Sequence, residues 1–387
     1  MHGANKIRVV AMLALALGFA GCRGRGAADA SSTPAGVAAA TTIDFTNVAN
    51  YARPNLPAYF DGSTNELDNS PADNAINDRV ASLGRVLFYD LRLSTNDKAS
   101  CASCHQQRFG FTDSMRFSNG ISNAAMTDFH AMRLANFRYW RPGTAFWDRR
   151  TATAEAQASH PIHSLIEMGW SGAAGDSDSL IRKMSATPYY PELFAWAFGS
   201  AAITEPRIQK ALAQFVRAMI SSSSRWDMGY AKVFSAAAPD RALDVDLKNF
   251  TPEENRGRQL FMTSVDRRGA GCSSCHRPPT FALAADARSN GLDPGETRVF
   301  KAPSLKNVGL TGPYMHDGRF VTLADVIDFY DHGIQAGPAL DHRLEKGGQP
   351  RHLNLSASDR AALVAFLKTL SDDQLTNDVR FSDPFRR

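Results

Sequence analysis

The pattern Cys-x-x-Cys-His occurs twice in this chain, at Cys101, Cys104 and His105 and again at Cys272, Cys275 and His276. It is the attachment signature of a c-type haem: two thiols add to the two vinyl groups, and the adjacent His is placed to bind the iron from one face. One copy alone also reads as a redox dithiol or as half a zinc site. A dithiol needs no His, and zinc needs further Cys or His pairs at matching spacing. Two copies, in a chain whose one other cysteine is Cys22, select two covalent haems.

The length of 387 residues suggests two domains, and 43% hydrophobic against 21% charged residues suits a globular protein with real cores. A formal net charge of +4, with no long Lys/Arg run, gives no support to a nucleic-acid partner. Lys6 and Arg8 precede an almost unbroken apolar run from Val9 to Ala20. That run is too short for a stable membrane span and reads as a secretory signal peptide over residues 1–22, which places the mature protein in the periplasm. Phe19-Ala20-Gly21-Cys22 resembles a lipoprotein box, although Phe19 stands where that box usually has Leu. The reading favours a lipid anchor at Cys22, with simple cleavage nearby as the alternative. Residues 23–42, rich in Ala, Gly, Ser and Thr, read as a flexible linker.

The two haem signatures sit in similar surroundings. Gly84-Arg85-Val86-Leu87-Phe88 begins 17 residues before Cys101, and Gly257-Arg258-Gln259-Leu260-Phe261 begins 15 before Cys272. Each predicts a helix leading into a haem site. Thr251-Pro252-Glu253-Glu254 predicts a capping box with Pro at the first helical position. Ile208, Leu212, Phe215, Val216 and Met219 share one helical face, as do Leu323, Val326, Ile327 and Tyr330. Ser356 and Asp359 cap a helix whose stripe is Leu363, Phe366, Leu367 and Leu370. Strand patterns are few. The expected fold is mainly α: two cytochrome c-like domains, residues 43–240 and 241–387, each with one haem c, long loops between helices, and a boundary near Ala236–Asp246.

Between Asn77 and Leu375 the sequence resembles the bacterial di-haem cytochrome c peroxidase family, in its MauG-like branch. Besides the haem signatures, the resemblance rests on Phe146-Trp147-Asp148, Glu167-Met168-Gly169, Pro303 to Val308, and Gly312-Pro313-Tyr314-Met315-His316-Asp317-Gly318. It implies that the amino-terminal haem reacts with hydrogen peroxide and that the carboxy-terminal haem relays or stores electrons. Trp147 matches a Trp between the haems, Glu167 a carboxylate over the first haem, and Pro161 a Pro packed over the same haem. A peroxide needs a base that takes a proton from one oxygen and returns it to the other, which a carboxylate supplies. Without the resemblance, Glu167 reads as a surface or helix-capping acid and Trp147 as core packing. The sixth ligand of the second iron falls on Tyr330, where cytochrome-dependent members have Met; Met315 is the competing ligand. A phenolate favours more oxidised iron than a thioether does.

Two departures accompany the resemblance. No counterpart of the family's gating His lies between Phe117 and Thr127. His130 occupies the place of an Asn that binds a calcium ion between the domains, whose other ligands, backbone carbonyls, match Thr311 and Pro313. Imidazole is a poor substitute for a hard oxygen donor; His130 is alternatively a loose distal ligand or a buried hydrogen-bonded residue. The expected activity is that of a di-haem peroxidase supplied by a small cytochrome c or copper protein. The alternatives are an oxidant that modifies a side chain of a partner protein, and a non-enzymatic electron carrier.

Overall fold

The computed structural model describes residue 1, residues 32–122, 125–172 and 175–386. The expected signal peptide, with Cys22, lies outside the described residues apart from Met1, as does the linker up to residue 31. The remainder of that linker is not a tether. Residues Ala35–Ala40 form a helix with Val37 fully buried, and Thr41 pairs with Phe385. The small residues read as floppy, but one buried Val and a bridge to the chain's far end fix the segment.

The regular structure of the described residues is helical apart from isolated bridges and two short hairpins, His276–Arg277 with Ala282–Leu283 and Glu345–Lys346 with Gln349–Pro350, with long loops between the helices. Asn77 accepts hydrogen bonds from the Arg79 and Val80 N–H groups and so opens the Asp78–Tyr89 helix, which buries Val80, Leu83, Val86 and Leu87. That helix crosses the Glu205–Ala218 helix. At the crossing a Cβ on Gly84 would overlap the Ala211 carbonyl and lie 2.9 Å from Phe215 Cβ. The second half repeats the arrangement with the Pro252–Met262 and Ala357–Lys368 helices. A Cβ on Gly257 would overlap the Ala362 carbonyl and lie 2.9 Å from Phe366 Cβ. The internal repeat therefore extends to the partner helices, as Ala-x-x-x-Phe. The capping box at Thr251 and the cap at Ser356 form as the sequence indicates.

Two main cores follow from these crossings, but they divide the chain differently from a cut at residue 240. Tyr59, Phe60, Tyr139, Ile220, Trp226 and Tyr230 pack into the second core, and Leu375 and Phe381 return to the first. Exchanged ends tie the halves together, and sequence-local composition cannot show this. The expected helix through Tyr330 also differs. The α-helix covers Leu323–Asp328, and Phe329–Gly333 continues as one π-helical turn. Leu323 and Ile327 pack in the second core, whereas Tyr330 packs beside Phe329, Leu292 and Met315 in a third cluster. The wider turn rotates Tyr330 off the face it would share in a regular helix.

Candidate haem sites and the junction between them

Cys101–Cys104 forms a single helical turn, held by a Ser100 N–H that donates to Ser103 Oγ at 3.0 Å. His105 follows at its end. Its Nδ1 lies 2.9 Å from the Phe111 carbonyl, which only accepts, so that nitrogen carries the proton and Nε2 is the metal-binding atom. Burial lowers the His105 pKa and pushes the Cys101 and Cys104 thiols up to about 12 and about 11. A redox dithiol needs the opposite shift. These are neutral thiols beside a neutral imidazole.

Cys101, Cys104, His105, Trp147, Pro161 and Glu167 all line one cavity of about 1020 Å³. The structure thus brings together the sequence-predicted residues of the first site. Glu167 sits in the turn after the Ala154–His163 helix, with its N–H donating to Ser164 Oγ at 3.2 Å. Gly169 closes that turn at φ +88°, where a Cβ would come 2.6 Å from Thr95 Oγ1. Glu167 caps no helix among the described residues. Burial raises its carboxyl pKa.

Trp147 is buried, and both its polar backbone and its ring are tied down. Its indole N–H donates to the His130 carbonyl at 2.8 Å, and its own carbonyl accepts from the Lys301 N–H at 2.7 Å. Its ring meets His316 edge to face at 6.4 Å, and His316 stacks on Phe300 at 4.1 Å. The His130 side chain is a buried hydrogen-bonded residue: Nδ1 is 2.8 Å from the Met115 carbonyl and Nε2 is 3.3 Å from Thr112 Oγ1. Both ring nitrogens are thereby occupied.

The junction does not fit calcium. The His130 side chain offers no oxygen, and beside Thr311 stands a cation, with Arg133 Nη1 donating to Thr311 Oγ1 at 3.1 Å and Nε donating to the Ser304 carbonyl at 2.9 Å. A divalent ion held by Thr311 and Pro313 would face this guanidinium, which no carboxylate among the described residues pairs with.

In the second site Cys272–Ser274 forms a 3₁₀ turn and His276 begins the first hairpin. The Ala284 N–H donates to the Cys275 carbonyl at 2.6 Å and closes the loop. His276 Nδ1 is buried without a partner, and burial holds the ring's pKa down at about 4. A neutral imidazole next to two thiols, Cys272 held at about 12, is the donor set of a haem c. Both candidate sixth ligands converge on one amide. Asn290 Nδ2 is 3.3 Å from the Tyr330 hydroxyl and 3.6 Å from Met315 Sδ. Burial raises the Tyr330 pKa to about 12. Asn290, Arg133 and Lys301 were not found from the sequence, since each is a lone polar residue in a loop with no periodic or spaced partner.

The residues of both sites fit covalent haem c. Residues 78–233 match the model of the family described as di-haem cytochrome c peroxidase, and residues 254–371 match that of cytochrome c. Methylamine utilization protein MauG of Methylorubrum extorquens is 31% identical over 321 residues, covering 78% of this chain and 80% of its own. Cytochrome c551 peroxidase of Nitrosomonas europaea is 28% identical over 318 residues, covering 76% and 80%. A solved structure of a MauG-like protein associated with microbial copper homeostasis superposes with a TM-score of 0.69 at 32% identity, covering 86% of this chain and 99% of that one.

Proposed function

The chain belongs to the di-haem cytochrome c peroxidase family, and from that premise we propose that Glu167 moves the peroxide proton at the first haem site and that Trp147 connects this site to the second. Haem supplies, when bound, the iron chemistry that cleaves the peroxide O–O bond and stores the resulting oxidising equivalents. The observation that carries the proposal is the shared cavity, where Glu167 and Pro161 line the same space as Cys101, Cys104 and His105. An ionised Glu167 carboxylate takes a proton from one peroxide oxygen and delivers it to the other, which leaves as water. Trp147, fixed by its hydrogen bond to the His130 carbonyl, offers an aromatic route between the sites.

The electrons come from a small cytochrome c or copper protein in the periplasm, where a lipid anchor at Cys22 would hold the enzyme. A second reading has support in the Asn290 cluster: with the Tyr330 hydroxyl as ligand of the second iron, a side chain of a partner protein is the final electron source. The test is the spectrum of the oxidised protein and its response to peroxide. A high-spin first haem that reacts with peroxide supports the proposal, and two closed six-coordinate haems overturn it. A reduced donor cytochrome oxidised at the peroxide rate selects the first electron source. A peroxide-dependent mass change in an exported partner protein selects the second.

A further inference from the structure

Among the described residues most fully buried cations pair with carboxylates; Arg85 hydrogen-bonds the Ser382 carbonyl and hydroxyl instead, and Lys301 has neither kind of partner. Lys306, Arg217 and Arg258 are at most 1% exposed, and they pair with Asp227, Glu155 and Asp246. Lys301 is only 3% exposed, yet its Nζ meets Met132 Sδ at 3.2 Å and the faces of Phe137 and Trp140 at 5.0 and 6.0 Å. Arg133 is half-buried and donates to the Ser304 carbonyl and the Thr311 hydroxyl. No carboxylate among the described residues forms an ion pair with either. Arg149 adds a third positive charge nearby, spent on the Ala287 and Phe300 carbonyls. An unpaired buried charge is strongly unfavourable, so the Lys301 ammonium either gives up its proton or is met by an anion.

The position identifies the anion. Lys301 lines the large cavity of the first haem site, and it shares a narrow cleft of about 10 Å³ with Arg133. Each haem c brings two carboxylates, its propionates. We propose that Lys301 and Arg133 form a cationic seat for a propionate of the first haem at the junction between the two sites. Burial that pushes the lone Lys301 ammonium down to about 7 is relieved once a carboxylate faces it. The same seat accounts for the junction's lack of fit to calcium, because the positive charge there is built into the chain. Lys301 also donates its backbone N–H to the Trp147 carbonyl, so the seat and the aromatic connection share one residue.

The seat rests on the presence of two haems and on no particular electron donor. The test is made on the full haem-loaded protein by redox titration and resonance Raman spectroscopy. A cation beside a haem disfavours the ferric state, so Lys301→Met should lower the first haem's midpoint potential and shift its propionate bending band. Lys301→Arg keeps the charge and should stay at the wild-type position. Both variants should retain two covalent haems by mass; wild-type protein lacking two haems would instead fail the family reading. Unchanged potential and band in Lys301→Met, or equal shifts in Lys301→Met and Lys301→Arg, overturn the seat. Should Lys301→Met fail to fold, Lys301→Gln is read in the same way. A wild-type propionate band at the free-carboxylate position, or a wild-type potential that moves with added inorganic phosphate, overturns it whichever variants fold.

Discussion

The Trp147 indole N–H donates to the carbonyl of His130 at 2.8 Å, which fixes the ring's orientation between the first haem cavity and His316. The bond couples two residues that look unrelated in sequence. His130 contributes its backbone to this contact while its imidazole is held by Met115 and Thr112. A buried charge-neutral hydrogen bond of this kind stabilises by about 0.5–1.5 kcal/mol, and leaving the carbonyl unpaired costs more. Trp147→Phe should keep two haems and a peroxide-reactive first site, while the second haem's absorption responds to peroxide far more slowly. Stopped-flow spectra at the two haems check this, and an unchanged second-haem response would remove Trp147 from the path.

Glu167 gives a prediction with a sign. Burial raises its pKa, so the carboxyl stays protonated to a higher pH than an ordinary Glu. A base must be ionised to accept a proton, so the peroxide reaction should speed up as pH rises through this raised pKa. The acid limb should lie above the ordinary Glu range. Glu167→Gln should flatten that limb and slow the reaction by roughly a hundred- to ten-thousand-fold, with both haems retained. Stopped-flow rates across pH decide it; a wild-type profile in the variant would exclude the residue.

Attachment of the haems is tested by mass. Replacing both Cys101 and Cys104 by Ala should leave one covalent haem, and replacing Cys272 and Cys275 should leave the other. Any other haem count in intact-mass spectra contradicts the assignment of one haem to each pair.

The paired glycines set helix propensity against packing. In a helix interior Ala is favoured over Gly by about 1 kcal/mol. At Gly84 and Gly257, however, the added Cβ meets a backbone carbonyl, at Ala211 and Ala362, which cannot rotate away. Overpacking costs about 1–3 kcal/mol in adaptable cores, and rigid backbone places these sites at or beyond the upper end. Gly84→Ala and Gly257→Ala should both lower Tm, by about 2–4 °C per kcal/mol lost. A rise in Tm at either position would mean that the helices separate at little cost.

What the sequence discloses here is what is local or repeated. The haem triplets, the Gly-Arg-x-Leu-Phe segments and the caps at Thr251 and Ser356 depend on spacings of a few residues, and each takes its expected form. Gathering Trp147, Pro161 and Glu167 around the first cavity followed from family resemblance rather than from their own chemistry. The remainder is tertiary. Asn290 becomes meaningful only when folding sets it between Met315 and Tyr330, and Lys301 only when no carboxylate arrives beside it. The flexible-linker reading does not hold at Val37 because one apolar residue among many small ones finds a core. The single π turn at Phe329–Gly333 leaves no mark on hydrophobic spacing, yet it sets Tyr330 beside Met315 and Asn290.

Tyr330 supports the sharpest prediction, because it and Met315 are alternatives held by the same Asn290 amide. Oxygen and sulfur ligands move an iron's potential in opposite directions, the thioether favouring the ferrous state. Burial keeps the Tyr330 phenol neutral up to about 12 when no metal is bound, so only direct coordination would ionise it near neutral pH. If Tyr330 is the ligand, Tyr330→Phe should abolish the low-spin spectrum of the second haem, whereas Met315→Leu should leave it intact. Tyr330→Met should restore a low-spin haem with a higher midpoint potential, and the diferric variant should then need prior reduction before it reacts with peroxide. The reverse pattern, in which Met315→Leu removes the low-spin signal and Tyr330→Phe does not, would make sulfur the ligand. It would leave peroxide removal with a donor protein as the better-supported activity. Asn290→Leu separates the two further: it removes a donor from the phenol oxygen but adds bulk beside both atoms. A spectral change in that variant that Tyr330→Phe also shows, and Met315→Leu does not, assigns the amide to orienting the phenol.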